Sequence, residues 1–261
     1  MSYVLEHDQE FERLERQSLI LYDYRKELRD VEVQDGALVL DAGCGSGVVS
    51  RYLANRFPAS RVIGCDYTAS LLAKARDAGK DIPNLAFEEQ DLKQLNYPDC
   101  RFDLVLCRFV FQHQDSESLS RLVAELARVL KPGGTLVVID SDGLLYNLYP
   151  QTPVVAEGLQ KLAAVREIDL HVGRKIPCLL SESGLTSVTW RIENLESWGE
   201  SRAAMLELMH ARFRNASAFF ERVLGGPEQW QSFSKAYLEC MEHPQSVCFV
   251  NKFIVRAKKP L

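Results

Sequence analysis

The stretch Val39-Leu40-Asp41-Ala42-Gly43-Cys44-Gly45-Ser46-Gly47 joins an apolar run to a turn rich in glycine. The run over residues 37–41 predicts a short strand that is buried on both faces. Glycines at alternate positions accept positive φ angles and carry no Cβ atom, so the backbone can approach a ligand closely. A helix predicted to begin at Val48 has free N–H groups in its first turn, which can bind an anionic group. A tight turn without a ligand would use the same glycines, so this segment alone favours a ligand site without establishing one.

Strands and helices alternate on both sides of this turn. Apolar residues recur with helical spacing over residues 10–29, 48–55, 69–78 and 116–130. Short apolar runs predict further strands at residues 61–66, 85–90, 102–107 and 135–140. Alternation at this spacing predicts right-handed β-α-β units and a doubly wound parallel sheet.

The alternating pattern breaks after residue 140. Two closing strands are predicted at residues 185–192 and 246–258, and further helices at residues 154–169, 173–184, 198–224 and 227–242. Because these helices are extra to the sheet, we expect them to cover its ligand edge. We expect a single domain over residues 1–261. Its parts are an N-terminal helical segment (1–34), a cofactor-binding core (35–140), a helical cover (141–180 and 198–242) and the two closing strands.

Composition and charge limit the class of protein. Of the 261 residues, 46% are hydrophobic and 26% are charged, which is ordinary for a globular domain. The net charge of −5 argues against binding to a nucleic-acid backbone. No run approaches the roughly 20 apolar residues that span a membrane. The seven cysteines lack zinc-ligand spacing and the N-terminus lacks a secretory pattern, so we expect reduced thiols, a cytoplasmic location and no metal.

Acidic residues follow the first three predicted strands. Asp41 ends the first strand, Asp66 ends the second, and Asp91 follows the third. Ligands of open α/β sheets bind beyond the carboxyl ends of the strands, where Asp66 can accept hydrogen bonds from both hydroxyls of a ribose. We expect Asp91 to accept from an adenine amino group and Leu92 to flank the ring. Val48 stands where a dinucleotide fingerprint has its last glycine, which disfavours a nicotinamide oxidoreductase.

With these acids, the chain resembles the class I S-adenosylmethionine (SAM)-dependent methyltransferase superfamily over residues 35–140. Val-Leu-Asp-x-Gly-Cys-Gly-x-Gly is the hallmark motif of that superfamily, and residues 102–105 and 130–136 match its fourth- and fifth-strand signatures. The resemblance implies a Rossmann-like α/β fold, with a seven-stranded, mostly parallel sheet and an antiparallel last strand. It also implies SAM as the methyl donor, S-adenosylhomocysteine (SAH) as the product and no metal. Within the superfamily, the chain is similar to ubiquinone/menaquinone-biosynthesis-like, small-molecule methyltransferases of the natural-product type.

The resemblance further implies which residues hold the cofactor. Gln17 on the first helix resembles a residue that reaches the methionine end of SAM. Residues 108–113 resemble a segment that lines the reacting sulfonium and the acceptor. Arg108 is expected to pair with a carboxylate of the cofactor or of the protein, or to form a surface salt bridge. The predicted cofactor-binding residues are Gln17, Asp41, Gly43, Cys44, Gly45, Gly47, Asp66, Tyr67, Asp91, Leu92, Cys107 and Arg108.

Three residues are candidates for handling the proton of the acceptor. His113 follows the fourth strand, and we expect it to act as a general base or an orienting donor with a pKa near the working pH. Its alternative roles are to cap the next helix beside Asp115 or to support a residue that contacts the ligand. Tyr22 and Tyr24 on the first helix are candidate catalytic partners, although core or surface packing is the more common role for each of them singly.

The sequence therefore predicts an enzyme that transfers the methyl group of SAM to a carbon, nitrogen or oxygen atom of a small molecule. The alternatives are a regulatory protein that binds SAM without catalysis and a protein methyltransferase. A nucleic-acid acceptor is disfavoured because the fourth strand is followed by Cys107-Arg108-Phe109-Val110 and not by Asn/Asp-Pro-Pro-Tyr/Phe. We expect a monomer or a homodimer with no membrane partner.

Overall fold

Five parallel strands form most of the central sheet in the computed structural model, which describes residues 10–20, 23–199 and 201–261. They are β1 (Leu38–Ala42), β2 (Arg61–Asp66), β3 (Leu85–Glu89), β4 (Phe102–Arg108) and β5 (Leu130–Asp142). Their spatial order is β3-β2-β1-β4-β5, so the chain runs outward from β1 to one edge and then returns to the other side of β1. This reversal creates a crevice at the carboxyl ends of β1 and β4, where ligands of such sheets bind.

The sheet is completed by strands from the second half of the chain. They are β6 (Leu148–Tyr149), β7 (Thr186–Glu196) and β8 (Val247–Lys258). β8 is antiparallel to both β5 and β7, which confirms the predicted antiparallel last strand. The two-residue β6 pairs with the beginning of β8 and makes the sheet eight-stranded. Sequence analysis missed β6 because a two-residue strand carries no periodic signal.

Helices cover both faces of the parallel strands. They are α3 (Val48–Arg56), α4 (Ala69–Ala78) and α5 (Ser116–Val129). All three begin at the predicted residue. Asp115 caps α5, since its carboxylate accepts a hydrogen bond from the Ser118 N–H at 2.8 Å. The Rossmann-like α/β fold is therefore confirmed, with the glycine turn between β1 and α3.

The predicted N-terminal helix over residues 10–29 is wrong in its length. The structure has α1 (Glu10–Ile20) followed by a separate short helix, α2 (Tyr24–Glu27). Asp23 caps α2, because its side chain accepts a hydrogen bond from the Arg25 N–H at 3.1 Å. The new cap gives the segment after Asp23 a separate helical beginning, which a continuous periodic pattern does not reveal.

The residues after β5 build a helical layer with its own core. Its helices are α6 (Pro153–Ala163), α7 (Ile176–Glu182), α8 (Ser201–Asn215), α9 (Ser217–Leu224) and α10 (Pro227–Glu242). The predicted single helix over residues 198–224 is wrong, because Ala216 has φ −108° and ψ 16° and separates α8 from α9. The predicted helix over residues 154–169 likewise ends early, at Ala163.

Aromatic side chains fill the core of this helical layer. The rings of Phe220 and Trp230 stack with centroids 4.7 Å apart, and Phe213 packs edge-on against Trp230 and Tyr237. This cluster is separate from the two clusters that line the faces of the sheet. The layer therefore stands as a packed unit over the carboxyl ends of the strands. Within the described ranges, no helix is both long and apolar enough to cross a membrane.

Candidate active site

A cavity of about 1230 Å³ lies between the carboxyl ends of the strands and the helical layer. Its floor is the glycine turn and the ends of β2 and β4. Its roof comes from α1, α8 and α9. Single small-molecule pockets usually enclose roughly 300–1,000 Å³. The cavity is therefore large enough to place two small molecules side by side.

The glycine turn has a backbone that favours glycine at Gly43, with φ +79°, and at Gly45, with φ +53°. A Cβ on Gly43 would lie 2.4 Å from Cγ2 of Val110, which lies across the cavity floor. The N–H groups of Gly43 and Cys44 donate to the Cys65 carbonyl at 2.8 and 2.9 Å, which ties the turn to the end of β2. The turn is thus held close to two strands and leaves no room for a side chain at Gly43.

Gly47 has a different role from its neighbours in the motif. It does not line the cavity, and a Cβ on it would lie 2.5 Å from the ring of Phe87 on β3. Its φ of +72° and this close packing explain the glycine without a ligand. Gly43, Cys44 and Gly45 do line the cavity.

Asp66 links the end of β2 to the glycine turn. One carboxylate oxygen accepts from the Gly45 N–H at 2.9 Å, and the other accepts from the Thr68 N–H at 3.0 Å. A carboxylate has about four acceptor positions, so about two remain for a ligand. Asp66 lines the cavity and is only 8% exposed, which makes it a fixed pair of acceptors in a polar wall.

The other predicted residues of this end of the cavity come together around Asp66. Asp91 uses one oxygen to accept from the Lys93 N–H at 2.9 Å. Leu92 is half-buried, and Tyr67 is 51% exposed. All three line the same cavity as Asp66. An acid pair flanked by an apolar side chain and an aromatic ring suits a nucleoside, with its hydroxyls, amino group and flat base.

Asp41 lies at the end of β1, behind the glycine turn. It is buried, and its carboxylate accepts a hydrogen bond from the Ser50 hydroxyl at 2.6 Å. Burial raises the pKa of Asp41 to about 6, although the Ser50 hydrogen bond and the charge of Arg108 oppose this rise. Asp41 reaches the cavity wall, so the structure brings it to the predicted site.

The two predicted cysteines differ in position. Cys44 lines the cavity, whereas Cys107 is buried in the core under the sheet and does not reach the cavity wall. Burial raises the pKa of each thiol well above its usual value, so both are neutral thiols. The side chain of Cys107 is therefore not brought to the predicted cofactor site.

Helix α1 covers the end of the cavity that contains Gln17, the residue expected to reach the methionine end of the cofactor. Gln17 lines the cavity, and so does Arg13, which donates hydrogen bonds to Gln17 and to Glu10. Ion pairs from Arg51 of α3 to Glu15 at 2.7 Å and from Lys74 of α4 to Glu12 at 3.2 Å hold α1 in place. A third ion pair joins Arg16 of α1 to Glu207 of α8.

Arg108 lines the cavity at the end of β4 and pairs with a carboxylate of the protein. Its Nε atom lies 2.7 Å from Oε2 of Glu27, and the two side chains are 10% and 0% exposed. The alternative of a surface salt bridge is therefore wrong. The guanidinium also lies over the ring of Phe109, with 4.5 Å to the centroid.

His113 lies on the cavity wall in a short 3-10 turn over Phe111–His113. The expectation of a pKa near the working pH is wrong. Burial, and to a smaller extent the positive charges of Arg212 and Arg13, lowers the pKa of His113 to about 3. The imidazole is therefore neutral at ordinary pH and is a weak base.

The structure does not bring Tyr24 to the cavity. Tyr24 is buried beneath the sheet, where its ring packs against that of Tyr52 at 5.0 Å between centroids. It belongs to α2, whose separate cap at Asp23 changes the direction of the chain. Tyr22 lies outside the described residues.

Comparison with known proteins shows what part of the chain is similar to. The family described as methyltransferase domain matches residues 39–134, which contain the glycine turn, Asp66 and Asp91. This part of the chain thus resembles methyltransferase domains. A trans-aconitate 2-methyltransferase of Deinococcus radiodurans is 40% identical over 102 residues, which cover 39% of this chain and 37% of that protein. A demethylmenaquinone methyltransferase of the same organism is 38% identical over 121 residues, which cover 43% and 49%. The chain thus spans less than half the length of these curated relatives.

Solved structures share the fold over most of this chain. The YcgJ protein of Bacillus subtilis has a TM-score of 0.63 and 18% identity, and the match covers 92% of this chain and 99% of that one. Phosphoethanolamine N-methyltransferase 2 of Haemonchus contortus, solved with phosphomonomethylethanolamine and SAH, has a TM-score of 0.64 and 18% identity, covering 99% and 59%. The [4+2]-cyclase SpnF has a TM-score of 0.61 and 20% identity, covering 92% and 80%. At these identities the likeness concerns the fold alone.

The residues present in the cavity fit SAM. Gly43 and Gly45 present backbone without Cβ atoms at the cavity floor. A Cβ on Gly45 would lie 3.0 Å from Leu14 of α1, so the glycine keeps this space open. Asp66 retains acceptors for a pair of hydroxyls, and Asp91 retains one carboxylate oxygen that accepts no hydrogen bond from the described residues. Arg13 and Gln17 offer polar groups at the other end. The donors and acceptors thus match a sugar, a base and an amino-acid end.

Sequence analysis missed the part of the cavity that the helical layer contributes. The wall includes Arg212 of α8 and Phe219, Phe220 and Arg222 of α9, together with Glu167 before them in the chain. These residues have no fixed spacing from the glycine turn. The sequence held only a weak signal for them. Arginines interrupt the apolar pattern of a helix that was predicted to cover the ligand edge, and such arginines can face a ligand.

Proposed function

We propose that the chain transfers the methyl group of SAM to a small-molecule acceptor and releases SAH. The observation that carries this proposal is the convergence of Gly45, Asp66, Asp91 and His113 on one cavity. The first three offer backbone and carboxylate groups suited to a nucleoside. His113 lies on the wall that continues toward the helical layer. One cavity therefore has a nucleoside end and a second end available to an acceptor.

The side chains around the cavity bind and orient in this proposal. Asp66 accepts hydrogen bonds from the ribose hydroxyls, Asp91 accepts from the adenine amino group, and Leu92 packs against the base. Arg13 and Gln17 bind the amino-acid end. When bound, SAM supplies an electrophilic methyl group, so the protein's contribution is to place the acceptor in line and exclude water.

In this proposal His113 orients the acceptor and does not act as the general base that accepts its proton. A base contributes most when its pKa lies near the operating pH, and burial lowers the pKa of His113 to about 3. A neutral imidazole still donates one hydrogen bond and accepts another. The proposal therefore suits an acceptor atom that is already nucleophilic, because positioning then supplies most of the rate.

A small acceptor is favoured over a macromolecule by the roof of the cavity. α1, α8 and α9 cover the carboxyl ends of the strands, and the ion pair between Arg16 and Glu207 joins two of these helices. The two curated relatives described above are named for small substrates, trans-aconitate and demethylmenaquinone. The monomeric or dimeric state and the cytoplasmic location stay predictions.

The test is transfer of an isotopically labelled methyl group from SAM to the components of a metabolite extract. Products are separated by size and identified by mass spectrometry. We expect label in molecules below the size of a peptide, with an equal amount of SAH formed. Label only in protein would point to a protein methyltransferase. Calorimetric binding of SAM without any labelled product would point to a SAM-binding protein that does not catalyse transfer. Either result would overturn the proposal.

A further inference from the structure

Arg212 has a guanidinium that the described residues leave incompletely satisfied. It lies on α8 and lines the cavity with the neighbouring α9. Its Nη1 atom is buried and has no hydrogen-bond partner among the described residues, which also supply no carboxylate within ion-pair distance. An arginine side chain is charged at all ordinary pH values and presents five N–H donors in a planar fork. The Arg212 side chain therefore lines the cavity with at least one N–H donor that no described residue accepts.

The other two arginines of the roof differ from Arg212 in this respect. Arg13 pairs with Glu10 at 2.6 Å, and Arg222 pairs with Glu167. Both acids lie on helices or loops of the roof, so the charges of these two arginines are balanced locally. Among the arginines that line the roof, Arg212 is thus the one without an acidic partner in the described part of the chain.

The surroundings of Arg212 are positive or apolar. The charges of Arg212 and Arg13 both act on His113, and in each case they lower its pKa. Phe219 and Phe220 line the same part of the roof. The acids of the cavity lie elsewhere or are engaged: Asp66 holds the glycine turn, and Asp115 holds the Ser118 N–H at 2.8 Å. A positive potential therefore extends from the roof toward His113.

Burial of a charged donor without an acceptor costs free energy, which a bound anion would recover. A guanidinium matches the paired oxygens of a carboxylate or phosphate group and binds them with two parallel hydrogen bonds. The apolar rings beside Arg212 lower the local dielectric constant and strengthen such an interaction. The site is thus suited to one end of an anionic molecule whose other end reaches His113.

We propose that the methyl acceptor is an anion, and that Arg212 binds its carboxylate or phosphate group at the roof of the cavity. This inference rests on the proposed methyl transfer, and it adds a substrate class to that function. The role of Arg212 is binding and placement: it anchors the charged end of the acceptor, while His113 orients the atom that receives the methyl group.

The first experiment separates acceptors by charge. A metabolite extract is passed over an anion exchanger at pH 8, and the retained and unretained fractions are each incubated with the full-length protein and labelled SAM. We expect the labelled product to form from the retained fraction. Treatment of that fraction with alkaline phosphatase beforehand distinguishes the two anions: loss of labelling indicates a phosphate monoester, and persistence indicates a carboxylate. Labelling confined to the unretained fraction would overturn the proposal.

The second experiment compares Arg212→Met with Arg214→Met, a substitution two residues away at an exposed position of the same helix. Arg212→Met is expected to raise the KM for the retained acceptor roughly tenfold to a hundredfold, the effect of losing a hydrogen bond to a charged group. Arg212→Lys is expected to recover part of this loss. Arg214→Met is expected to behave as the unaltered protein. Equal KM values for Arg212→Met and the unaltered protein would contradict the proposal.

Two binding measurements test the role of Arg212 without depending on methyl transfer. SAH affinity, measured by calorimetry, should be the same in Arg212→Met and the unaltered protein. A parallel loss of SAH affinity would instead assign Arg212 to the carboxylate of the cofactor and overturn the proposal. SAH-loaded protein is also incubated with the retained fraction and ultrafiltered, and bound molecules are identified by mass spectrometry. Anions retained by the unaltered protein and lost in Arg212→Met support the proposal even if no product forms, whereas failure to retain any anion contradicts it.

Discussion

Glu27 and Arg108 form a bidentate ion pair beside the cavity floor. Nε of Arg108 lies 2.7 Å from one carboxylate oxygen of Glu27, and Nη2 lies 3.3 Å from the other. Nζ of Lys252 lies 2.8 Å from that second oxygen. Burial alone would raise the pKa of Glu27, but the charges and hydrogen bonds of Arg108 and Lys252 hold it below its usual value. One carboxylate thus joins α2 to the end of β4 and to the middle of β8.

Replacing Glu27 with Gln should destabilise the protein strongly. The substitution leaves two cations, Arg108 and Lys252, without their shared counter-charge in a buried place, which typically costs roughly 3–5 kcal/mol. The measurement is the free energy of unfolding from urea titration. The control is Glu117→Gln, which removes an exposed ion pair with Arg121 and should cost less than about 1 kcal/mol. Equal losses in the two variants would contradict this account of the buried pair.

Gly43→Ala should weaken SAH binding, whereas Gly36→Ala should not. The two glycines have nearly the same φ, +79° and +80°, so both substitutions carry a similar backbone cost of roughly 1–2 kcal/mol. A Cβ on Gly43 meets Val110 at 2.4 Å on the cavity floor, while a Cβ on Gly36 meets nothing within 4 Å. We expect Kd for SAH to rise about tenfold or more in Gly43→Ala alone, equivalent to about 1.4 kcal/mol. The same affinity in both variants would show that the turn does not approach the cofactor.

His113 should make the protein less stable as the pH falls below 6.5. Its pKa is 6.5 in the unfolded chain and about 3 in the folded protein, so the unfolded state alone binds a proton between these values. The stability from the neutral imidazole is therefore complete above pH 6.5 and is lost toward pH 3, at about 1.36 kcal/mol per pH unit. When the pH falls from 6.5 to 5, the free energy of unfolding should decrease for both proteins. The decrease for His113→Gln should be smaller than that for the unaltered protein by roughly 2 kcal/mol.

The measurement is urea unfolding at several pH values between 5 and 7.5. His243→Gln is the matched control, because His243 is exposed. We expect its stability to run parallel to that of the unaltered protein. Parallel curves for His113→Gln as well would mean that His113 is protonated in the folded protein, and the proposed orienting role of a neutral imidazole would have to be abandoned.

The sequence predicts the core of the fold because its signals are local. The runs that form β1, β2 and β4 are continuous and apolar, so their burial on both faces follows from the pattern. Asp66 and Asp91 are found because topology places the ends of neighbouring parallel strands at one edge. Gly47 shows the limit of this reasoning: its place in the motif suggests a ligand, yet the space that it leaves is filled by Phe87.

The parts that sequence analysis missed depend on contacts between distant residues. Tyr24 was placed at the site because residues 10–29 suggest one helix, whereas the cap at Asp23 starts a new one and Tyr24 packs against Tyr52. The low pKa of His113 comes mainly from burial and partly from Arg212, which lies far along the chain in the helical layer. Cys107 lies near the end of β4 as the pattern suggests, but its side chain belongs to the core under the sheet. No local pattern encodes these outcomes.

Calorimetric titration of SAH into Asp66→Ala tests the central claim most directly. Asp66 fixes the glycine turn through the Gly45 N–H and retains acceptors for two ribose hydroxyls. Its loss should raise Kd for SAH roughly tenfold to a hundredfold or more. Asp35→Ala, at an exposed acid outside the cavity, should leave Kd unchanged. An unchanged Kd in Asp66→Ala would contradict the assignment of this cavity to SAM.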